Sequence, residues 1–109
     1  MLKPGNIVVV NFAGAQGSKH RPAVVISSSL YHTQRPDVIL APLATNIAAA
    51  RTQFDYRLED WESAGLNQPS AFRTYFNLQL SDGLRSIGSL SDRDWLGVQT
   101  CLTLALQPT

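Results

Sequence analysis

The stretch that most constrains this chain is His20-Arg21-Pro22-Ala23-Val24-Val25-Ile26-Ser27. Val24, Val25 and Ile26 are β-branched and suit a pleated, half-buried surface. Pro22 has no amide hydrogen, so within a strand it fits only at the first residues or on an edge. The run is therefore a strand whose mouth lies at Arg21, where a loop enters the sheet. A guanidinium keeps its proton at physiological pH and offers a planar fork of donors that suits a phosphate. Arg21 is thus placed either for phosphate chemistry or for a surface ion pair, which alone contributes little.

With 109 residues, the chain is expected to be a single domain with one core. Its net charge of +1 leaves no whole-molecule electrostatic footprint for nucleic acid, so any basic site is local. Seven of the nine cations are Arg, a bias toward forked contacts with anions. Cys101 is the lone cysteine; its apolar neighbours make it a buried, inert thiol, and a reducing cytoplasm fits. No stretch has the form of a signal peptide or reaches the roughly 18 apolar residues of a membrane span, so a cytoplasmic location with no membrane partner is expected.

Ile7 to Phe12 follows a Pro4-Gly5-Asn6 turn and is apolar at both parities, as in a central strand buried on both faces. Ala13 to Lys19 reads as a flexible hairpin connection; lacking a Walker pattern or a helix start, its glycines are weak grounds for a phosphate loop. Leu30 to Arg35 is a polar crossing in which His32 has no special role. Val38 to Leu43 is the third strand. Thr45 leaves its end, either as a turn former or as a hydroxyl fixed by the sheet and open to a ligand. Gln53 to Leu58 alternates, with Phe54, Tyr56 and Leu58 inward and Asp55 and Arg57 outward. Glu59, Asp60 and Glu62 around Trp61 form a solvated acidic loop. Ser70 to Leu80 alternates again, with Phe72, Phe76, Leu78 and Leu80 at one parity and Arg73, Tyr75, Asn77 and Gln79 on a polar face. Ser91-Asp92-Arg93-Asp94 is similar to a capping box, and a helix follows to about Leu106 with Trp95, Val98, Leu102 and Ala105 as its buried stripe. The expected fold class is mainly β with a C-terminal helix, an SH3-like small barrel of five to six strands.

Two isolated histidines and one cysteine supply no recognisable metal-ligand set, no cofactor motif is visible, and no Cys-His or Ser-His-Asp grouping can be defended. His20 adjoins Arg21, but neighbours in a strand point to opposite faces, so His20 reads as a loop residue rather than a partner base. What remains is Arg21, Thr45 and Arg73 at or near strand ends, with Tyr75 and Asn77 beside Arg73. Phosphate donors plus one aromatic platform describe a site for single-stranded nucleic acid, where stacking contributes about 1–3 kcal/mol per base.

Five stretches carry a resemblance: Pro4-Gly5-Asn6-Ile7-Val8, Arg21 to Ser27, Leu43-Ala44-Thr45, Gly65-Leu66 with Pro69-Ser70, and Ile87-Gly88-Ser89-Leu90-Ser91. In this order they resemble the MazF/PemK family of toxin–antitoxin ribonucleases along nearly the whole chain. The resemblance implies an SH3-like barrel, a homodimer, metal-independent cleavage of single-stranded RNA (mRNA), and neutralisation by a small antitoxin whose acidic, disordered tail covers the active groove. The family's catalytic arginine falls on Arg21 and its catalytic threonine on Thr45. Arg73, Tyr75, Asn77, Lys19 and His20 would then bind RNA. Asn6 stands where the family commonly has an acidic residue. Thr74 to Gln79 replaces a run of the Asp-Gln-Ile-Arg-Thr type, which removes a cation and a threonine near the groove. The alternatives are a non-catalytic poison that binds DNA gyrase, and a decayed module that binds RNA or antitoxin. For a ribonuclease without metal ligands or an acidic pair, the available nucleophile is the substrate's own 2′-hydroxyl, giving a 2′,3′-cyclic phosphate. The base is unassigned, with His20 the candidate to test.

Overall fold

The computed structural model describes residues 1–14 and 17–108, the side chains at 13, 14, 18 and 19 excepted. Strands β1 (Asn6–Gly14) and β2 (Gly17–Val25) pair antiparallel, with Val10 opposite Arg21 and Val8 opposite Ala23. A short helix, α1 (Ser29–Gln34), leads to β3 (Asp37–Ala44), which lies antiparallel to β2. β4 (Tyr56–Arg57) and β5 (Ala71–Phe72) are two-residue strands, and β5 pairs the end of β3. β6 (Asn77–Leu80) pairs the start of β3, and β7 (Ser86–Ser89) returns to pair β1. The result is a curled antiparallel sheet, a half-barrel, with helix α2 (Asp92–Leu106) after it. No helix among the described residues is long and apolar enough to cross a membrane.

β1 is apolar at both parities because it serves two cores. Ile7 joins Val24, Leu43, Phe72 and Val98 of α2 on one face, while Val8 and Val10 join Val25, Val38 and Leu40 on the other. β1 has partners on both sides and is central, as its sequence implies. The lone Cys101 is buried, and burial pushes its thiol pKa up.

Several local expectations give way. Seven strands form rather than five or six. The crossing at residues 30 to 35 is helical, because the Ser28 hydroxyl accepts from the Tyr31 amide and caps α1. His32 has a definite role there. Its Nδ1 donates to the Leu2 carbonyl at 3.0 Å, and its Nε2 lies 2.5 Å from the buried Ser27 hydroxyl. Ser27 Oγ in turn accepts from the Ile39 amide.

The expected strand at residues 70 to 80 is broken. Thr74 adopts a left-handed φ of 55°, and its hydroxyl donates to the Phe54 carbonyl at 2.5 Å. This turn resets the frame, so Leu78 and Leu80 are exposed at 64% and 65% while Asn77 and Gln79 are half-buried. The parity of Phe54 and Asp55 is reversed too. Phe54 is exposed, and the Asp55 side chain is 4% exposed against Arg73. In α2, Val98 is buried as expected and Ala105 is exposed; the fully covered line is Asp94, Val98 and Cys101. The acidic loop is part of the scaffold, since Asp60 binds Arg93 and Trp61 packs on the core.

Candidate active site

Strand parity decides how β2 presents its functional side chains. Pro22 is opposite Val9, and His20 is opposite Asn11, so these four share one face. Arg21 is opposite Val10 and shares the other face with Ala23. His20 therefore lies within a strand rather than a loop. With Val9, Pro22 and Thr45 it lines a cleft of about 250 Å³. Thr45 is exposed one residue beyond the end of β3, where its carbonyl accepts from the Ile47 amide in a tight turn.

The opposite wall comes from residues 65 to 70 and from Ile87 of β7. Two close backbone approaches set it. A Cβ at Gly65, whose φ is +91°, would stand 2.8 Å from the Ile87 carbonyl oxygen, and a Cβ at Gly88 would overlap the Ala64 carbonyl. Glycine at both positions lets the 60–66 turn lie directly on β7. Ala64, Leu66 and Ser70 are buried anchors, while Asn67 and Gln68 stand exposed at the cleft.

The turn is tied to α2 in its own right. Ser91 caps the helix by accepting from the Asp94 amide, and its hydroxyl donates to Asp60 at 2.5 Å. Arg93 grips the Asp60 carboxylate through Nε at 2.9 Å and Nη2 at 2.8 Å. The Arg93 and Ser91 hydrogen bonds hold the Asp60 carboxyl down to about 2. Asp94, wholly buried, accepts from the Tyr56 hydroxyl and from the Glu59 and Asp60 amides.

The expected site residues fall in separate places. Thr45 and His20 meet in the cleft; Arg21 lies in the middle of β2 rather than at its mouth, on the face opposite His20 and outside the cleft lining, exposed and with no carboxylate partner among the described residues. The Lys19 side chain lies outside the described residues. Arg73 and Tyr75 line a different, open hollow with Phe54 and Ala105 that shares no residue with the cleft. There Arg73 Nε is 3.3 Å from Asp55 Oδ1, and its guanidinium lies 5.6 Å from the Tyr75 ring centroid. Burial pushes the Asp55 carboxyl up, but hydrogen bonds from Thr52 and Arg73 outweigh it and leave the group below its ordinary value. Asn77 is opposite Leu40 in β6 and accepts from Gln79 Nε2 at 3.2 Å. Among the described residues, no group of three or more His, Cys, Asp or Glu side chains is arranged to hold a metal ion.

Sequence reasoning passed over Asn67 and Gln68. They sit between Gly65-Leu66 and Pro69-Ser70, and their place between those two turn pairs was the available signal.

Comparison with known proteins adds the family. The sequence matches the profile of the PemK-like, MazF-like toxins of type II toxin-antitoxin systems over residues 3–106. No curated protein matches the chain by sequence. The fold is similar to that of an endoribonuclease in complex with its cognate antitoxin from Mycobacterial species, with a TM-score of 0.80 at 16% identity, covering 100% of this chain and 99% of that one. It is similar to Mycobacterium tuberculosis toxin MazF-mt6 with a TM-score of 0.75 at 19% identity, covering 95% and 98%. A MazE-MazF structure from Deinococcus radiodurans gives 0.76 at 17% identity, covering 99% and 98%. These identities establish the shared fold, and the profile match over nearly the whole chain establishes the lineage: the chain belongs to the PemK-like, MazF-like toxins of type II toxin–antitoxin systems.

Proposed function

We propose that this toxin is a metal-independent endoribonuclease that cuts single-stranded RNA, with Arg21 and Thr45 as its catalytic pair. The observation that supports the reading is the meeting of Thr45 and His20 in one cleft; Arg21, the next residue of β2, starts on the strand's other face, exposed and with no carboxylate partner among the described residues, and has to reach round the strand to share the phosphate. The substrate's 2′-oxygen attacks the adjacent phosphorus in line, and the bond from phosphorus to the 5′-oxygen breaks. His20 takes the 2′ proton and the departing 5′-oxygen takes one from solvent, leaving a 2′,3′-cyclic phosphate and a 5′-hydroxyl. Arg21 and the Thr45 hydroxyl donate to the phosphoryl oxygens, where charge builds in the transition state. The remaining contribution is to hold the in-line geometry.

Two partners belong to the same reading. One is a small antitoxin with an acidic, disordered tail, supported by the relatives solved with MazE or a cognate antitoxin. The other is a second copy of the chain. β6 pairs β3 on one side only, carries no charge between Phe76 and Ser81, and exposes Leu78 and Leu80. An uncharged open edge of this kind is a template for strand pairing between chains.

The test is cleavage of a synthetic single-stranded RNA in excess chelator, with products read by mass spectrometry. Cleavage that persists, yields a cyclic phosphate and stops when the cut nucleotide is 2′-deoxy is the expected result. Cleavage of the 2′-deoxy substrate, or activity that chelator removes and a divalent ion restores, overturns the mechanism.

A further inference from the structure

We infer that a second pocket, lined by Arg35 of the α1–β3 junction and Arg85 of the β6–β7 turn, binds the phosphate of a sugar phosphate of about nucleotide size. The inference goes beyond the nuclease reading and does not rest on it. Leu2, Val38 and Leu84 give the pocket an apolar floor at the edge of the second core. It shares no residue with the cleft, and the two lie on opposite sides of the sheet, since Val8 joins the core under the pocket while Val9 lines the cleft.

Charge is the first argument. Two guanidiniums and one carboxylate, Asp37, line the pocket. Arg35 Nε lies 3.3 Å from Asp37 Oδ1, and the Tyr31 hydroxyl donates to the same carboxylate at 2.5 Å. Asp37 is thus already engaged, and Arg85 forms no ion pair among the described residues. Arg85 is exposed, so packing does not call for a second cation beside the first. A local conflict of this kind belongs at a functional site. One guanidinium fork fills a carboxylate, whereas a phosphate has oxygens for two.

Size decides what carries the phosphate. At about 410 Å³ the pocket falls in the range that holds small organic ligands, well above the needs of a bare anion. The Tyr31 hydrogen bond keeps the Asp37 carboxyl below its ordinary value, so at neutral pH it is an acceptor for the hydroxyls of a sugar.

Rigidity is the third argument. His32 donates to the Leu2 carbonyl and ties that segment to α1, while the Arg35 amide donates to the Tyr31 carbonyl at 3.0 Å. Ser81 donates to the Pro36 carbonyl through both its amide and its hydroxyl at 2.9 Å, and the Leu84 amide donates back to the Ser81 carbonyl at 3.1 Å. The turn that carries Arg85 is therefore fastened to the residue beside Arg35. A backbone frame already fixed loses little entropy when the anion arrives.

The experiment titrates the full chain at low salt with adenosine 5′-monophosphate, with adenosine as the uncharged control, and with a single-stranded RNA made uncleavable by 2′-O-methylation. Backbone amide NMR signals of Ser81, Leu84 and Arg85 report on the pocket. The expected result is that a phosphate-bearing compound moves these signals and adenosine does not. Arg85→Ala should weaken that binding by roughly 10- to 100-fold with circular dichroism unchanged, and Arg85→Lys should recover only part of it. Movement by the RNA, with a salt dependence that Arg85→Ala flattens by about one phosphate's contribution, assigns the phosphate to the RNA chain. Movement by the nucleotide alone assigns it to a free nucleotide. The inference is overturned when neither compound moves these signals, when adenosine moves them as far, or when Arg85→Ala binds both as wild type does. Cleavage of unmodified RNA is read in parallel: a working pocket without cleavage removes the nuclease alone, and cleavage with a silent pocket removes the pocket alone.

Discussion

The Tyr56 hydroxyl donates to the Asp94 carboxylate across 2.7 Å and joins the short strand β4 to the first turn of α2. The same carboxylate accepts from the Glu59 and Asp60 amides at 3.0 and 2.8 Å. Burial and then the Asp94 hydrogen bond raise the Tyr56 pKa far above its ordinary value, so the phenol stays a donor at any working pH. Asp94→Ala leaves three donors without their acceptor, and each unsatisfied buried group costs about 1–3 kcal/mol. A loss of about 3 kcal/mol or more in chemical denaturation is expected, against about 1 kcal/mol for Tyr56→Phe. Equal losses for the two would show that the amides find other partners.

Asp60 makes stability depend on acid. Its folded value of about 2 lies below the ordinary 3.8, so the unfolded chain takes up the proton first. The stabilisation is complete above about pH 4 and fades as pH falls through about 2. Asp37 and Asp55 are also lowered. The measurement is therefore the difference between wild type and Asp60→Asn, which should shrink across that window in urea titrations. A difference that is constant with pH would remove Asp60 as a contributor.

Gly88→Ala tests the wall of the cleft. The added methyl collides with the Ala64 carbonyl, a backbone atom that cannot swing aside. A cost of about 1–3 kcal/mol is expected, with cleavage reduced even at temperatures where the variant is fully folded. Unchanged activity in the folded variant would separate the turn from the site.

How much of this was legible beforehand depended on which residues carried the signal. The Val24-Val25 end of β2 follows from its β-branched residues, though the strand begins at Gly17 rather than at Arg21 and ends before Ile26, and α2 follows from Ser91, whose cap bond from the Asp94 amide is present. The alternation at residues 72 to 80 misled because one left-handed residue, Thr74, inverts everything after it, and a threonine gives no notice of positive φ. Asp55 looked like a solvent-facing charge; its burial depends on Arg73, 18 residues away. Thr45 stood out because strand ends are where loops meet a rigid frame; Arg21 stood out for the same reason, yet it lies in the middle of β2. Asn67 and Gln68 are neutral loop amides, and nothing periodic marks such residues.

Arg21→Ala should lower cleavage by about 10²–10³-fold, the usual cost of one preorganised donor, while melting unchanged, since the side chain is exposed. Arg21→Lys should recover little, because an ammonium is not a fork. Thr45→Val should fall in the same range. A folded Arg21→Ala protein that cuts within a few-fold of wild type would end the assignment.

Leu78→Lys addresses self-association. A charge in the middle of the open β6 edge should halve the mass seen by light scattering and leave circular dichroism unaltered. A wild type that is already monomeric, or a variant that keeps the dimer mass, would move the contact away from β6.

β1 is completed by β7: the Asn6 side chain donates through Nδ2 to the Ser89 hydroxyl across 83 positions of sequence, and Ile87 walls the cleft. During synthesis the first strand emerges early and waits for nearly the whole chain before its second edge is filled. Until residues 86 to 89 have left the ribosome, the cleft lacks a side. A nascent chain that stops short of β7 therefore has no complete cleft.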